Sequence, residues 1–179
     1  LDVCMPDIQP VAAVHNDQVA VHLAAPEGCP RFVGRVVRGI NLTAATPLWL
    51  TEKLRRSGIR SIDPVVDVTN YIMLELNQPM HAYDLNRLTG DITVRQSIGG
   101  EQLTLLNGSE TTLAAGTLLI TDASGPIGMA GIMGGASTAV QSDTQDIYLE
   151  AAFFAPIAIA GRARAYAMHT DAGHRFERG

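Results

Sequence analysis

His81 and Glu150 are the two side chains of this sequence whose positions suggest acid–base or hydrogen-bonding chemistry. His81 follows QPM at 78–80, the expected end of a helix, where a polar side chain can point into a cleft. A capping histidine or a hydrogen-bonded core histidine is the commoner case, and composition favours it. Glu150 ends an apolar strand, so its carboxylate either pairs with an arginine such as Arg162 or Arg175 or stands in a pocket wall.

The segment GPIGMAGIMGG at 125–135 carries a glycine at nearly every third position. It matches neither GxxxxGK[ST] nor GxGxxG, so the pattern does not support nucleotide binding through a phosphate loop. Glycines spaced in this way let two backbones, or a backbone and a flat ligand, approach closely. We expect a packing role in preference to the floor of a pocket, although both fit the pattern.

Metal and covalent chemistry have no local signature in the sequence. His169 and His174 are five residues apart, which is off the i, i+4 spacing that places two ligands on one helix face. The sequence contains no Gly-x-Ser-x-Gly elbow, and neither Cys4 nor Cys29 lies in a catalytic or CxxC motif. We therefore expect no metal site, no protein nucleophile and reduced thiols.

Composition restricts the class of protein. The chain has 179 residues, of which 46% are hydrophobic and 17% charged, with a net charge of −5. These values predict a globular protein of one domain, or of two very small domains that share a core. Because no apolar segment approaches the ~20 residues of a membrane span and the N-terminus does not resemble a signal peptide, we expect a cytoplasmic protein without a membrane partner. The pI of about 5.4 argues against a free-standing nucleic-acid binder. The start without methionine and the end at RFERG suggest a piece of a longer polypeptide.

Local patterns predict both strands and helices in the first half of the chain. The predicted elements are an extended lead-in over 1–30 with a strand-like patch at 19–23, a strand over 31–40, a helix over 47–58 and a helix over 64–76. Gly58 is expected to end the first helix, and Pro79 limits the second. Candidate caps for the second helix are Asp67, Thr69 and Asn70.

Beyond Gly90 the pattern changes to short strands divided by turn residues. The predicted elements are strands over 92–95, 103–106, 118–121 and 147–150 and a final helix over 156–168. Asn107-Gly108 is a strong hairpin signal. Because strands and helices do not alternate regularly, we predict a mixed α/β (α+β) fold of layered sheets and helices.

Four stretches of the sequence together resemble one protein family. VVDVTNYIMLELNQPMHAYDL at 65–85 is similar to the signature stretch of bacterial phenylalanyl-tRNA synthetase β subunits. The same family order is followed by GPIGMAGIMGG at 125–135, YLEAAFFAP at 148–156 and HTDAGHRFERG at 169–179. The resemblance covers about residues 31–179, and family chains are far longer.

The resemblance implies a fold and an activity. Residues 31–179 would form the editing domain of the β subunit, a three-layer β/β/α sandwich, with 1–30 as the lead-in. The domain would hydrolyse the ester of tyrosine wrongly attached to the phenylalanine tRNA, since a pocket made for a phenyl ring rejects an added hydroxyl only modestly. The implied partners are the tRNA(Phe) 3′ end carrying tyrosine, free tyrosine, and the α subunit in a heterotetramer. ATP and Mg would belong to the full synthetase, with no cofactor in this piece.

The resemblance also implies a set of pocket residues. Carried over position by position, they are Thr69, Asn70, His81, Gly134, Gly135, Glu150, Thr170 and Ala172. Glu150 would accept a hydrogen bond from the tyrosine phenol, and the small residues would leave room for the ring and the ester. Asn70 and His81 would be the catalytic pair, orienting the ribose and a water, with His81 either a base or a positioning group.

Three positions depart from the family pattern. The departures are Asn77 where glycine is commoner, Ala167-Met168 where Gly-Leu is common, and Gly173 where serine is common. They bear on local backbone geometry only.

The alternative function is a non-catalytic structural or tRNA-positioning module of the same subunit. Such a module has no need to keep His81, Glu150 and the small residues together.

Overall fold

The computed structural model describes residues 8–179. Its strands are β1 Val21–Leu23, β2 Arg31–Val37, β3 His81–Asp84, β4 Ile92–Gln96, β5 Glu101–Thr104, β6 Glu110–Leu113, β7 Leu118–Asp122, β8 Gly125–Met129, β9 Met133–Gly134 and β10 Ile147–Phe153. Its helices are α1 Leu48–Arg56, α2 Pro64–Leu76, α3 Pro156–Ile159, α4 Arg162–Ala165 and α5 Asp171–Phe176, with a 3₁₀ turn at Leu85–Arg87.

The strands form a five-stranded sheet, a three-stranded sheet and a hairpin. The five-stranded sheet has the order β1-β4-β7-β8-β9, in which β1 runs parallel to β4 and the other neighbours are antiparallel. The three-stranded sheet has the order β2-β10-β3 and is antiparallel. The hairpin pairs β5 with β6 across the predicted Asn107-Gly108 turn.

Alternation along β10 explains how the layers stack. Tyr148 and Ala152 point to one face of the three-stranded sheet and join the core shared with β4, β7 and β8. On the helical side, α2 packs beside β3 and α1 packs on α2. The layers are therefore sheet, sheet and helices, and the predicted mixed α/β fold is confirmed.

The helix predictions are partly right. The bounds of α2 agree with the predicted 64–76, because Pro64 takes the first turn and Asn77 leaves the helix in the left-handed region. The predicted caps are wrong. Asp63 is the N-cap and accepts from the amides of Val65 and Val66, while Asp67 is buried and accepts from Ser61, Thr46 and the Ile62 amide.

The predicted single helix over 156–168 is also wrong. Gly161 has a φ of 73° and separates two one-turn helices, α3 and α4. A left-handed residue cannot continue a right-handed helix, so the alanine-rich composition is overridden by one glycine. The last helix is α5, which is not among the helices predicted from the sequence.

The lead-in contributes to the fold. Its strand-like patch becomes β1, and Cys29 is a free, buried thiol in the core. Cys4 lies outside the described residues. Within residues 8–179, no helix combines the length and apolar character that crossing a bilayer demands.

Candidate functional site

A cavity of about 90 Å³ lies between the two sheets and α5. Four of the predicted site residues line it: His81, Gly134, Glu150 and Ala172. Tyr83 and three methionines complete much of the wall. Residues that are far apart in the sequence therefore meet in one mainly apolar site.

Strand pairing places the acid–base residues side by side. Glu150 in β10 is directly opposite His81 in β3, and Tyr148 is opposite Tyr83 in the same register. Residues opposite each other in an antiparallel pair point to the same face, as do residues two apart along one strand. His81, Tyr83 and Glu150 consequently share the face that looks into the cavity.

Glu150 is a buried carboxyl group whose hydrogen-bond partner is a tyrosine. The Tyr83 hydroxyl donates to Oε2 of Glu150, and the residue is 6% exposed. Burial raises the pKa of Glu150 to about 7, and the bond from Tyr83 opposes that rise. Burial and the neighbouring carboxylate hold the pKa of Tyr83 well above its usual value. Of the two alternatives for Glu150, pairing with Arg162 or Arg175 is therefore wrong, and the place in a pocket wall is right.

His81 presents an unpartnered nitrogen. Its Nε2 is buried and has no hydrogen-bond partner among the described residues, while its ring packs edge-on against Tyr83 with 4.4 Å between centroids. Burial lowers the pKa of His81 to about 4, so the imidazole is neutral at neutral pH. A neutral imidazole nitrogen in a cavity can bind a water molecule or a ligand hydroxyl.

Glycines 128, 131 and 134 line the cavity, so the pocket-floor reading of this segment holds for them. A Cβ on Gly134 would come within 2.7 Å of His81 Nε2. At Gly131, with a φ of 68°, a Cβ would lie 3.0 Å from Phe154. Side chains at Gly131 and Gly134 would therefore fill the site or displace its walls.

Two other predicted site residues have local structural roles. Gly135 donates its amide to the Ile127 carbonyl, and a Cβ there would lie 2.6 Å from that oxygen, which explains the need for glycine. Thr170 is the N-cap of α5, where its hydroxyl accepts from the Gly173 amide. Thr170 lines a neighbouring groove and not the cavity.

Thr69 and Asn70 lie on α2, in the helical layer. The Thr69 hydroxyl donates to the Val66 carbonyl one turn back, at 3.0 Å. Neither residue lines the cavity, although α2 packs beside β3, where His81 begins the strand. Their assignment to substrate binding and catalysis stays a prediction.

Four residues that line the cavity were not predicted from the sequence: Tyr83, Met80, Met129 and Met133. Tyr83 had a usable signal, because a residue two positions after His81 in a strand faces the same side. The methionines carry no such signal, since their position depends on how β8 and β9 fold under β3.

No group of three or more His, Cys, Asp or Glu side chains within residues 8–179 is arranged to hold a metal ion. The polar groups that face the cavity are His81 and the Glu150–Tyr83 pair. The arrangement can therefore bind and orient a polar ring substituent or a water molecule inside an apolar site.

Known proteins resemble this chain over nearly its full length. The B3/4 domain family matches residues 28–179. The phenylalanine–tRNA ligase β subunit of Pectobacterium atrosepticum is 58% identical over 174 residues, covering 97% of this chain and 22% of the relative. The corresponding subunit of Pasteurella multocida is 58% identical over 179 residues, again 22% of its length. The chain thus spans about a fifth of these curated relatives.

A solved structure supports the fold. An N-terminal fragment of the phenylalanyl-tRNA synthetase β subunit from Pyrococcus horikoshii aligns with a TM-score of 0.59 and 16% identity, covering 80% of this chain and 45% of that chain. At that identity the likeness speaks for the fold alone. The resemblance predicted from the four motifs is confirmed by the relatives, and the chain belongs to the B3/4 domain family.

Proposed function

We propose that this chain is an editing domain that hydrolyses the ester of tyrosine wrongly attached to tRNA(Phe). The observation that carries the proposal is the meeting of the buried carboxyl group of Glu150 and the buried Nε2 of His81 at one mainly apolar cavity with a glycine floor. Its partners are the 3′ end of tRNA(Phe), free tyrosine, and an α subunit in a cytoplasmic synthetase. ATP and Mg act elsewhere in that longer protein.

Glu150 distinguishes tyrosine from phenylalanine in this proposal. Tyr83 uses Oε2, so Oε1 is left to accept a hydrogen bond from a second phenol. Phenylalanine cannot supply that donor, and an unpaired polar group in a buried site costs ~1–3 kcal/mol. A hydrogen bond to the tyrosine hydroxyl would supply the selectivity that is missing at the aminoacylation site, whose pocket is made for a phenyl ring and rejects an added hydroxyl only modestly.

The cavity must enlarge to admit the ring. Its volume of about 90 Å³ is below the ~150 Å³ of an apolar cavity known to accept benzene. Met80, Met129 and Met133 line it, and unbranched methionine side chains rearrange at low energetic cost. The three methionine side chains would therefore shift to make room when tyrosine enters.

Hydrolysis in this proposal depends on positioning. An aminoacyl ester is already activated, so a water held close to its carbonyl can react without a protein nucleophile or a metal. A pKa near 4 makes His81 a weak base at neutral pH, which favours its role in holding the water through Nε2. Asn70 is the second proposed catalytic residue, with Thr69 and Thr170 beside the ribose.

Deacylation of Tyr-tRNA(Phe) and Phe-tRNA(Phe) by the purified chain tests the function. We expect faster release of tyrosine, turnover insensitive to chelators, and loss of rate in His81→Ala. The double variant Tyr83→Phe/Glu150→Leu removes both members of the buried hydrogen bond, so neither is left buried without a partner. It should lose about tenfold or more of the preference for tyrosine, since 1.4 kcal/mol is tenfold.

Tyr83→Phe is the matched control, because it removes the neighbouring hydroxyl and keeps Glu150. It should retain the preference for tyrosine. If the wild-type chain leaves Tyr-tRNA(Phe) intact, the non-catalytic module is the correct reading.

A further inference from the structure

The pairing of β3 with β10 stops at a proline. The last pair of the ladder joins Glu150 to His81. Two residues further on, the same register would bring Ala152 opposite Pro79. Proline has no backbone N–H, so Pro79 cannot donate a hydrogen bond to Ala152. His81 is therefore the first residue of β3, at a strand end that the backbone of the connector before it does not extend.

The side chain of Gln78 supplies the donor that Pro79 lacks. Its Nε2 donates to the Ala152 carbonyl at 3.1 Å and to the Pro79 carbonyl at 2.8 Å. A primary amide carries two hydrogens, so one side chain can serve both oxygens. Ala152 is 4% exposed and Pro79 is buried, so solvent has little access to replace these bonds. Gln78 therefore joins the connector to β10 just beyond the end of the ladder.

This link holds one wall of the cavity. Pro79 and Met80 line the cavity together with His81. They belong to the short connector between α2 and β3, which leaves the helix at Asn77 in a left-handed conformation. The end of a strand opens more readily than its middle. A tie between the connector and β10 therefore limits the movement of His81, the residue that begins β3.

Glu150 does not depend on this link. Its carboxyl group accepts a hydrogen bond from Tyr83, which lies inside the ladder opposite Tyr148. Gln78 itself does not line the cavity. Loss of the Gln78 bonds would therefore displace His81 and leave the place for the phenol unchanged.

We propose that Gln78 is a positioning residue, which holds His81 opposite Glu150 by replacing the backbone N–H that Pro79 lacks. The inference rests on the proposed function, in which Nε2 of His81 holds the water that attacks the ester. A displacement of about 1 Å can lower the rate of an enzyme ~100-fold, so a hydrogen bond outside the cavity can matter for turnover. Gln78 acts on the reaction through His81.

The deacylation kinetics of Gln78→Met test this role, because methionine is close to glutamine in length and lacks the two donors. We expect kcat for Tyr-tRNA(Phe) to fall about tenfold and KM to change by less than about twofold, since the phenol contact on Glu150 is retained. A kcat equal to that of the wild type would overturn the proposal.

Gln102→Met is the matched control. Gln102 also donates across a strand pair, to Thr112 Oγ1 at 3.0 Å, and it does not line the cavity. This variant should keep the wild-type kcat and KM. A fall in kcat as large as that of Gln78→Met would show that the loss of any such bond lowers the rate, and would overturn the special role of Gln78.

A double-mutant cycle separates the positioning of His81 from a general structural effect. If Gln78 acts through His81, Gln78→Met should lower the residual rate of His81→Ala by less than about twofold. Losses that multiply in the double variant would mean that Gln78 acts independently of His81, which would overturn the proposal.

The ring of His81 provides a measurement that does not require hydrolysis. The ring packs edge-on against Tyr83 with 4.4 Å between centroids, so the ring current of Tyr83 makes the NMR signals of the imidazole protons sensitive to its position. These signals should shift in Gln78→Met and stay in place in Gln102→Met. Unshifted signals in Gln78→Met would overturn the proposal even if the rate falls. Shifted signals together with an inactive wild type would overturn the editing function and leave the positioning of His81 by Gln78 in place.

Discussion

Burial favours the neutral form of both His81 and Glu150, so it lowers the pKa of the histidine and raises the pKa of the glutamate. These two shifts make the stability of the folded chain depend on pH. The folded pKa of Glu150 is about 7 against 4.5 for a free carboxyl, so the folded state binds more protons between these values and stability falls as pH rises through them. The folded pKa of His81 is about 4 against 6.5, so stability rises with pH over that window. The two effects oppose each other between pH 4.5 and 6.5.

Single substitutions should uncover each effect. The wild type loses stability between pH 4.5 and 7 because the buried Glu150 carboxyl group must ionise. Glu150→Gln has no such group, so its stability relative to the wild type should rise over this range by up to about 3 kcal/mol. His81→Gln should show the reverse trend between pH 4 and 6.5. Urea unfolding across this pH range measures both. Parallel stability profiles for the wild type and the two variants would contradict the assigned shifts.

Gly134 determines where the His81 ring lies. An added Cβ would fall within 2.7 Å of Nε2, so Gly134→Ala should displace the imidazole from the cavity and reduce Tyr-tRNA deacylation about tenfold or more. Gly128→Ala is the matched control, because its Cβ would make an ordinary contact of 3.5 Å with Gly134 Cα. Equal rates for the two variants would show that the ring position does not matter.

At the scale of elements, two helix ends carry non-glycine residues in the left-handed region. Asn77 ends α2 with a φ of 56°, and Ala167 follows α4 with a φ of 54°. These are two of the positions at which the family pattern favours glycine. The amides of Ala167 and Met168 bond back to the carbonyls of Arg164 and Ala163, which is the geometry of a glycine helix stop.

Ala167→Gly should therefore stabilise the chain. A left-handed alanine costs ~1–2 kcal/mol, and part of the relief is offset by the greater flexibility of glycine in the unfolded chain. We expect a gain of about 1 kcal/mol in the free energy of unfolding. Asn77→Ala should lose a similar amount, since asparagine tolerates this conformation better than alanine. Denaturant midpoints report both, and no gain at position 167 would argue against a left-handed residue there.

The sequence predicts elements where the signal is local. Pro64 and the apolar pattern after it fix α2, and Asn107-Gly108 fixes the hairpin, because a turn type depends on the residues within it. The prediction of one final helix over 156–168 was wrong because Gly161 interrupts an alanine-rich segment. The site itself needed the resemblance, since the pairing of Glu150 with His81 joins strands whose register no local pattern reveals.

At the scale of the whole molecule, the helical layer has a small core of its own. Leu50, Leu54 and Met73 are buried between α1, α2 and the sheet, yet they lie outside the main cluster of buried residues that joins the two sheets. A separate apolar cluster can open without exposing the larger one. The helical layer and the sheets are therefore expected to open as different units.

Native-state hydrogen exchange of Leu54→Ala tests this division. Leu54 is fully buried, so its truncation should cost about 3 kcal/mol. We expect amides of α1 and α2 to exchange much faster, and amides of β4, β7 and β8 to change little, because the sheet core keeps its packing. An equal acceleration in all of these elements would mean one cooperative unit. Since α2 carries Asn70, an independent opening would remove this proposed catalytic residue while the cavity around His81 and Glu150 stays formed.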